Sequence, residues 1–269
     1  MKMLPILMLA ASTLSPLRAQ DLGAPPRSMP ADASPSFEVA TIKPTNEDLV
    51  GAAYGMQGRV FSTRNTSLTY LLAYSNDMQQ NQIIGAPAWA DADKFDIKAE
   101  PNTPGQPNHQ QLNSMVQKLL VDRFKLTFLR EKRELPAYVL TLEGAAPKIA
   151  KSNDNSATTP SFSFHGFGKI VVTNSTISDF VHMLQVLVLD RPVVDQSGLT
   201  GRYDFTLTWT PDDSQYFRTG MKPVQPSTTA DTPPDLFTAI NQQMGMRLRS
   251  ARVPVDVLVI DHVEKPSAN

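Results

Sequence analysis

The sequence contains no cysteine. That absence removes a disulfide framework, thiolate metal ligands and a cysteine nucleophile in one step. Histidine is scarce: His109, His165, His182 and His262 fall in no metal-ligand spacing such as the i, i+4 pair of a zinc helix. An excess of one charge is missing too, since 25 Lys and Arg stand against 26 Asp and Glu, a formal net charge of −1. The basic residues are spread along the chain, so nucleic acid, whose phosphates need a basic face, is not an expected partner. Past the N-terminus no segment approaches the roughly 18 uninterrupted apolar residues of a membrane helix. Phosphate loops, nucleophile elbows, dinucleotide fingerprints and zinc helices are all absent.

The N-terminus has more to say. Lys2 precedes an apolar run from Met3 to Leu14, and Leu17, Arg18, Ala19 and Gln20 follow, with small Ala19 suited to the position before a cut. This order predicts a secretory signal peptide over residues 1–19, its apolar run being too short to span a bilayer. With no cysteine near the cut, a lipid anchor on that residue type is excluded. The product is expected to be exported, periplasmic or secreted, with no membrane-spanning segment once the signal is removed. About 250 residues then remain, enough for one large or two modest cores.

Residues 20–36, rich in Pro, Ala and Ser, read as a flexible leader. Phe37 to Pro44 alternates apolar and polar residues and stops at a proline, a strand signature. A strand at Gly58–Thr63 leads into helical spacing at Leu68, Leu71, Leu72 and Met78, with Asn65, Thr66 or Ser67 available as cap. Ile83 and Ile84 begin a short run, and Trp89 with Lys94–Glu100 gives another strand. Leu112, Met115, Val116, Leu119 and Leu120 form one apolar helical stripe. The charged run Arg130–Glu134 is expected to turn the chain between strands 124–128 and 135–142. After a Gly, Ala, Pro and Ser-rich join, a helix carries Ile177, Phe180, Val181, Leu184 and Val188, with strands at 191–194 and 203–209. Thr232, Pro233, Pro234 and Asp235 announce a last helix that stops at Gly245. Residues 247–251 and 253–262 are expected to close the chain as a pair of strands.

Self-similarity orders these elements. Gly58–Thr69 and Gly168–Ser178 share a glycine, a β-rich run, an Asn followed by hydroxyl residues and an apolar helix start. Aligned onward, Asn65 meets Asn174, Ile83 and Ile84 meet Val193 and Val194, Phe95-Asp96-Ile97 meets Tyr203-Asp204-Phe205, and Leu135-Pro136 meets Val253-Pro254. The reading is an α+β protein: a tandem duplication of strand-helix-strand-strand plus helix-strand-strand, with mainly antiparallel sheets and helices packed on one side. The halves are residues 37–143 and 164–266, joined by a linker at 144–163.

Polar residues are weighed against this build. Asp96 and Asp204 share one repeat position, and paired carboxylates can do acid and base work. Residues held in both copies are more often structural, and alternation puts each opposite its apolar neighbours. Val193, Val194 and Asp195 brush against the aspartic protease pattern, but Gln196 intervenes and Gly85 stands where a second Asp would be needed. Ser197 to Gly201 reads as a turn. Asn65-Thr66-Ser67 and Asn174-Ser175-Thr176 match the N-glycosylation pattern, though their place before a helix accounts for them as caps. Trp89 and Trp209 read as partly buried aromatics at module edges, and His262 as a surface or satisfied residue. No catalytic, cofactor-binding or metal residue is assigned, and no cofactor is expected.

Seven ordered strings carry a resemblance: 37–44 (FEVATIKP), 95–99 (FDIKA), 119–126 (LLVDRFKL), 133–138 (RELPAY), 191–195 (RPVVD), 198–205 (GLTGRYDF) and 259–266 (VIDHVEKP). From about Phe37 onward the chain resembles the uncharacterised exported soil-associated protein family expanded in Acidobacteria, which carries a domain of unknown function. In that family a His usually precedes the Arg-Glu of the mid-chain hairpin, whereas here Leu129 precedes Arg130-Glu131. The resemblance implies an exported module and no reaction. The leading expectation is a non-catalytic binding or sensory module for an envelope protein, a glycan or a small ligand. An extracytoplasmic hydrolase using Asp96, Asp195 or Asp204 is the alternative from another class, and a structural envelope protein the third.

Overall fold

A computed structural model describes residues 27–45, 52–153, 160–216 and 232–267. The expected signal peptide, residues 20–26 of the leader and the middle of the 211–234 loop lie outside the described residues.

Among the described residues, twelve strands and five α-helices form an α+β architecture with mainly antiparallel sheets. The first half contributes β1 (Phe37–Pro44), β2 (Ala53–Gln57), β3 (Val60–Thr66), α1 (Leu68–Ser75), β4 (Ile83–Ile84), α2 (Trp89–Ala92), β5 (Phe95–Pro101), α3 (His109–Arg123) and β6 (Thr127–Leu142). The second contributes β7 (Ala150–Lys151), β8 (Ser161–Phe164), β9 (Lys169–Ser175), α4 (Ile177–Met183), β10 (Val193–Asp195), β11 (Tyr203–Thr208), α5 (Leu236–Ala239) and β12 (Met246–His262). Two outer sheets have orders β1-β5-β3-β2 and β7-β11-β9-β8. Each strand of one thus has a counterpart at the same place in the other. Between them stands a central sheet of order β10-β6-β12-β4.

The central sheet is woven from both halves. β6 and β12 run antiparallel from Met246 opposite Leu142 to Ile260 opposite Phe128. β4 of the first half pairs in parallel with β12, and β10 of the second pairs in parallel with β6. Tyr138 and Leu140, near the end of β6, are buried in the core built from α4, α5, β9 and β11. Ile260, near the end of β12, is buried in the core of α1, α3, β1, β3 and β5. Each half's last strand therefore completes the other half's core.

Two expectations need correcting here. Arg130 to Glu134 do not turn the chain: β6 is one strand of 16 residues. Residues 247–251 and 253–262 are likewise one strand of 17 residues, not a pair. The charged run is exposed because the ribbon there crosses between two cores, and its charges are met on the surface, Lys132 Nζ by Asp256 Oδ1 at 2.9 Å and Arg133 Nη2 by Glu131 Oε2 at 2.9 Å. Pro136 and Pro254 sit near the ribbon's centre, opposite Arg252 and Glu134.

Smaller differences have local causes. Trp89 heads the short α2 instead of the strand, and Met78 lies beyond α1. Asp235, not Thr232, caps α5, its Oδ1 accepting from Phe237 N at 2.9 Å and Thr238 N at 3.1 Å. Beyond α4 and α5 the chain winds into π-helical turns, Leu184–Val188 and Ile240–Met244, the latter ended by Gly245 at φ 67°. The capping hydroxyls are Ser67, accepting from Tyr70 N at 3.2 Å, and Thr176, accepting from Asp179 N at 3.0 Å. Residues 27–36, within the stretch read as leader, meet the first half: Met29 is buried, its N–H donating to Gln106 O at 2.8 Å, and Gln111 Nε2 donates to Pro30 O at 2.7 Å.

Candidate functional site

The loop after α1 crosses from the first half to the second. It is stapled there by glutamines, whose side chains carry both donor and acceptor and so can satisfy buried backbone at a join. Buried Gln79 donates through Nε2 to Leu189 O at 2.9 Å and also to Gln185 O. Gln82 Nε2 donates to Asp256 O at 2.7 Å, and Gln185 Nε2 returns a bond to Asp77 O at 2.9 Å. Within the loop, Gln79 N donates to Gln82 Oε1 at 2.8 Å.

Around this crossing lies an open cleft of about 590 Å³. Its walls are Asn76–Met78 of the first half and Ser178, Val181, His182 and Gln185 of the second, with Val193–Asp195 and Pro254–Asp256 from the central sheet. Volumes of this order suit small ligands, and the lining here is more polar than apolar.

The densest polar cluster on the cleft wall centres on Asp77, held at φ 54° in the left-handed region. His109 Nε2, at the start of α3, lies 2.9 Å from Asp77 Oδ1, and His182 Nε2, on α4, lies 3.9 Å from the same oxygen. Asn113 Nδ2 donates to Asp77 Oδ2 at 2.9 Å. Burial alone would raise the Asp77 carboxyl. The hydrogen bond and charge of His109, the charge of His182 and the bond from Asn113 overcome it and hold the group below its usual 3.8. In return the bond to Asp77 raises His109 above its usual 6.5 despite partial burial.

Nothing in the sequence announces this cluster. Asp77 stands in a loop, and the two histidines begin or line helices far away in the chain. They meet because α3 and α4 approach one loop from opposite sides of the join. The only local hint is the pattern Asn108 to Gln111, a capping box that places His109 in the first turn of α3.

The acids singled out from the sequence do not meet. Asp96 lies in the first outer sheet, Asp204 in the second and Asp195 in the central one. Asp96 Oδ1 accepts from Asn65 N at 2.9 Å and Thr45 Oγ1 at 2.7 Å, Asp204 Oδ1 from Asn174 N at 2.7 Å, and Asp195 Oδ1 from Ser197 N at 2.8 Å. These are fold-building roles. Asp195 does line the cleft with Asp77. Trp89 is partly buried against the first core with Lys265 Nζ 5.7 Å from its ring centre, while Trp209 is fully buried and donates to Gln215 Oε1 at 2.8 Å. His262 is at the surface, 3.0 Å from Glu264 Oε1.

Chemically, the cleft offers a carboxylate flanked by two imidazoles. Ser178 stands one helical turn before His182 in the same cleft, yet among the described residues it makes no hydrogen bond to that imidazole, whose Nε2 is turned toward Asp77. An activated nucleophile would need that bond. Among the described residues no group of three His, Cys, Asp or Glu is arranged to hold a metal ion, and no helix is long and apolar enough to cross a membrane.

A family model described as "Protein of unknown function (DUF3738)" matches residues 69–263. The chain belongs to this family. The DUF3738 region runs from α1 through β12 and contains every residue lining the cleft. No curated protein and no solved structure matches the chain.

Proposed function

We propose that this DUF3738 protein is an exported, non-catalytic binding or sensory module whose ligand seats in the cleft between its halves. One observation carries the reading: the cleft draws its walls from both halves and from the central sheet, and its polar groups are already fixed by the glutamine staples and the Asp77 cluster. Pre-formed walls lower the ordering cost of binding. The charge-then-apolar N-terminus supports export. The scattered acids, each held by a backbone N–H, support binding over hydrolysis.

A cysteine-free chain accepts one unique label. Ser178→Cys, carrying a trifluoromethyl tag, reports on the cleft by fluorine NMR. Adding fractions of the native envelope, glycans and small molecules included, is expected to shift that resonance, while a tag at exposed Leu187→Cys stays unmoved. Equal response at both positions, or none at Ser178→Cys with any fraction, overturns the cleft as a binding site.

A further inference from the structure

The Asn76–Gln82 loop walls the cleft from the first half, whereas α4 walls it from the second. Asp77 on the loop is the more sheltered partner, 30% exposed at its side chain against 58% for His109 and 47% for His182. The His109 imidazole is therefore open to solvent while the carboxylate it holds is sheltered. Histidine is the side chain whose ordinary charge change falls between about pH 5 and 8.

The surrounding groups supply a fixed frame. Asn113 from α3 and Gln185 from the second half bond Asp77 in a manner independent of protons. Tyr74 on α1 has its phenol pushed up to about 12, by burial first and then by Tyr54 and Asp77, and so stays neutral. Arg130 Nη2 on β6 donates to Asn76 Oδ1 at 2.5 Å, Lys132 is paired with Asp256 across the ribbon, and Asp195 on β10 is engaged by Ser197 N.

We propose that Asp77 and His109 form a proton-operated clasp on the loop that Gln185 and His182 meet from the second half, which tightens the cleft wall when the His109 imidazole is charged and loosens it when it is neutral. This regulation rests on the cleft being the binding site. The direction follows from linkage. His109, raised in the folded state, contributes stability that is fully present below 6.5 and lost as pH rises through its higher folded value. Asp77, lowered, contributes stability present above 3.8 and lost as pH falls through its lower folded value. The clasp is firmest between those limits.

Hydrogen exchange of the full chain reads the wall directly. After correction for intrinsic exchange, amides of 76–82 are expected to be roughly two- to fivefold better protected at about pH 5 than at about pH 8, the scale a half-exposed ion pair supports. Asp77→Asn, which keeps the left-handed turn and the shape, and His109→Gln, which removes the titrating imidazole, are each expected to abolish the step. Equal protection at both pH values, or an unchanged step in Asp77→Asn, overturns the clasp. A flat exchange profile with a ligand-responsive Ser178→Cys tag overturns the clasp and leaves the cleft reading standing; a silent tag with the step present does the reverse.

Discussion

Asp96 Oδ1 accepts the backbone N–H of Asn65 at 2.9 Å, where Asn65 stands at φ 55° near the end of β3, just ahead of α1. The second half repeats the device, with Asp204 holding Asn174 at 2.7 Å and φ 51°. The left-handed turn re-aims the chain from β3 into α1 and from β9 into α4, and asparagine is the side-chain-bearing residue that tolerates it best. Asn65→Val is therefore expected to cost about 1–3 kcal/mol more than Asn65→Gly, as a strained β-branched residue does. Urea unfolding of both variants checks the contrast.

A glycine precedes each of these strands, seven residues before Asn65 and six before Asn174, and the two do not share the same surroundings. Gly58 has φ 61° with open space where a Cβ would stand, while at Gly168, φ 81°, that Cβ would meet Trp209 O at 2.2 Å. Gly58→Ala should cost only the backbone term, about 1 kcal/mol. Gly168→Ala adds an overlap with backbone that cannot swing away, so a loss of roughly 3 kcal/mol or more is expected. Thermal melts of the two variants should separate them clearly; equal losses would contradict the packing of β9 on the Trp209 segment.

Much of this architecture was legible because helices and most strands announce themselves by period. Leu112, Met115, Val116, Leu119 and Leu120 gave α3, and the alternation of 95–100 gave β5. Charge misled at Arg130–Glu134, since a solvated run reads as a turn when the partner strand that pairs it cannot be seen. The cleft was less legible still. Asp96 and Asp204 stood out because they recur, and recurrence marked the fold; Asp77, His109 and His182 carry no shared pattern, the first two meeting by the packing of α3 beside the loop and His182 reaching them only from the other half.

That exchange makes the glutamine staples testable. Gln79 is buried, and its Nε2 satisfies Leu189 O and Gln185 O across the join. Gln79→Ala would leave those carbonyls short of a donor in a closed space, at a cost of about 1–3 kcal/mol. Gln79→Glu should be worse, because it replaces the donor by a charge facing two carbonyl oxygens. The control is partly buried Gln117, whose bonds lie within the first half. Denaturation midpoints should fall in the order Gln117→Ala, Gln79→Ala, Gln79→Glu.

Tyr138 tests the other side of the ribbon. Its hydroxyl donates to Asp190 Oδ1 at 3.0 Å, its ring faces Phe237 with centroids 5.5 Å apart, and Arg191 lies 5.5 Å over it. Burial first, and then the bond and charge of Asp190, push the phenol up to about 12, against a smaller downward pull from Arg191. A raised folded value means that the stability it contributes is fully present below 10.0 and lost as pH climbs through about 12. Absorbance of tyrosinate during alkaline titration should therefore show Tyr138 ionising late in the native chain. Asp190→Asn should bring its midpoint down without restoring the ordinary value, because burial, the larger cause, persists. A midpoint unmoved by Asp190→Asn would mean that the hydrogen bond does not bear on the phenol, and a fall to the free value would mean that burial does not.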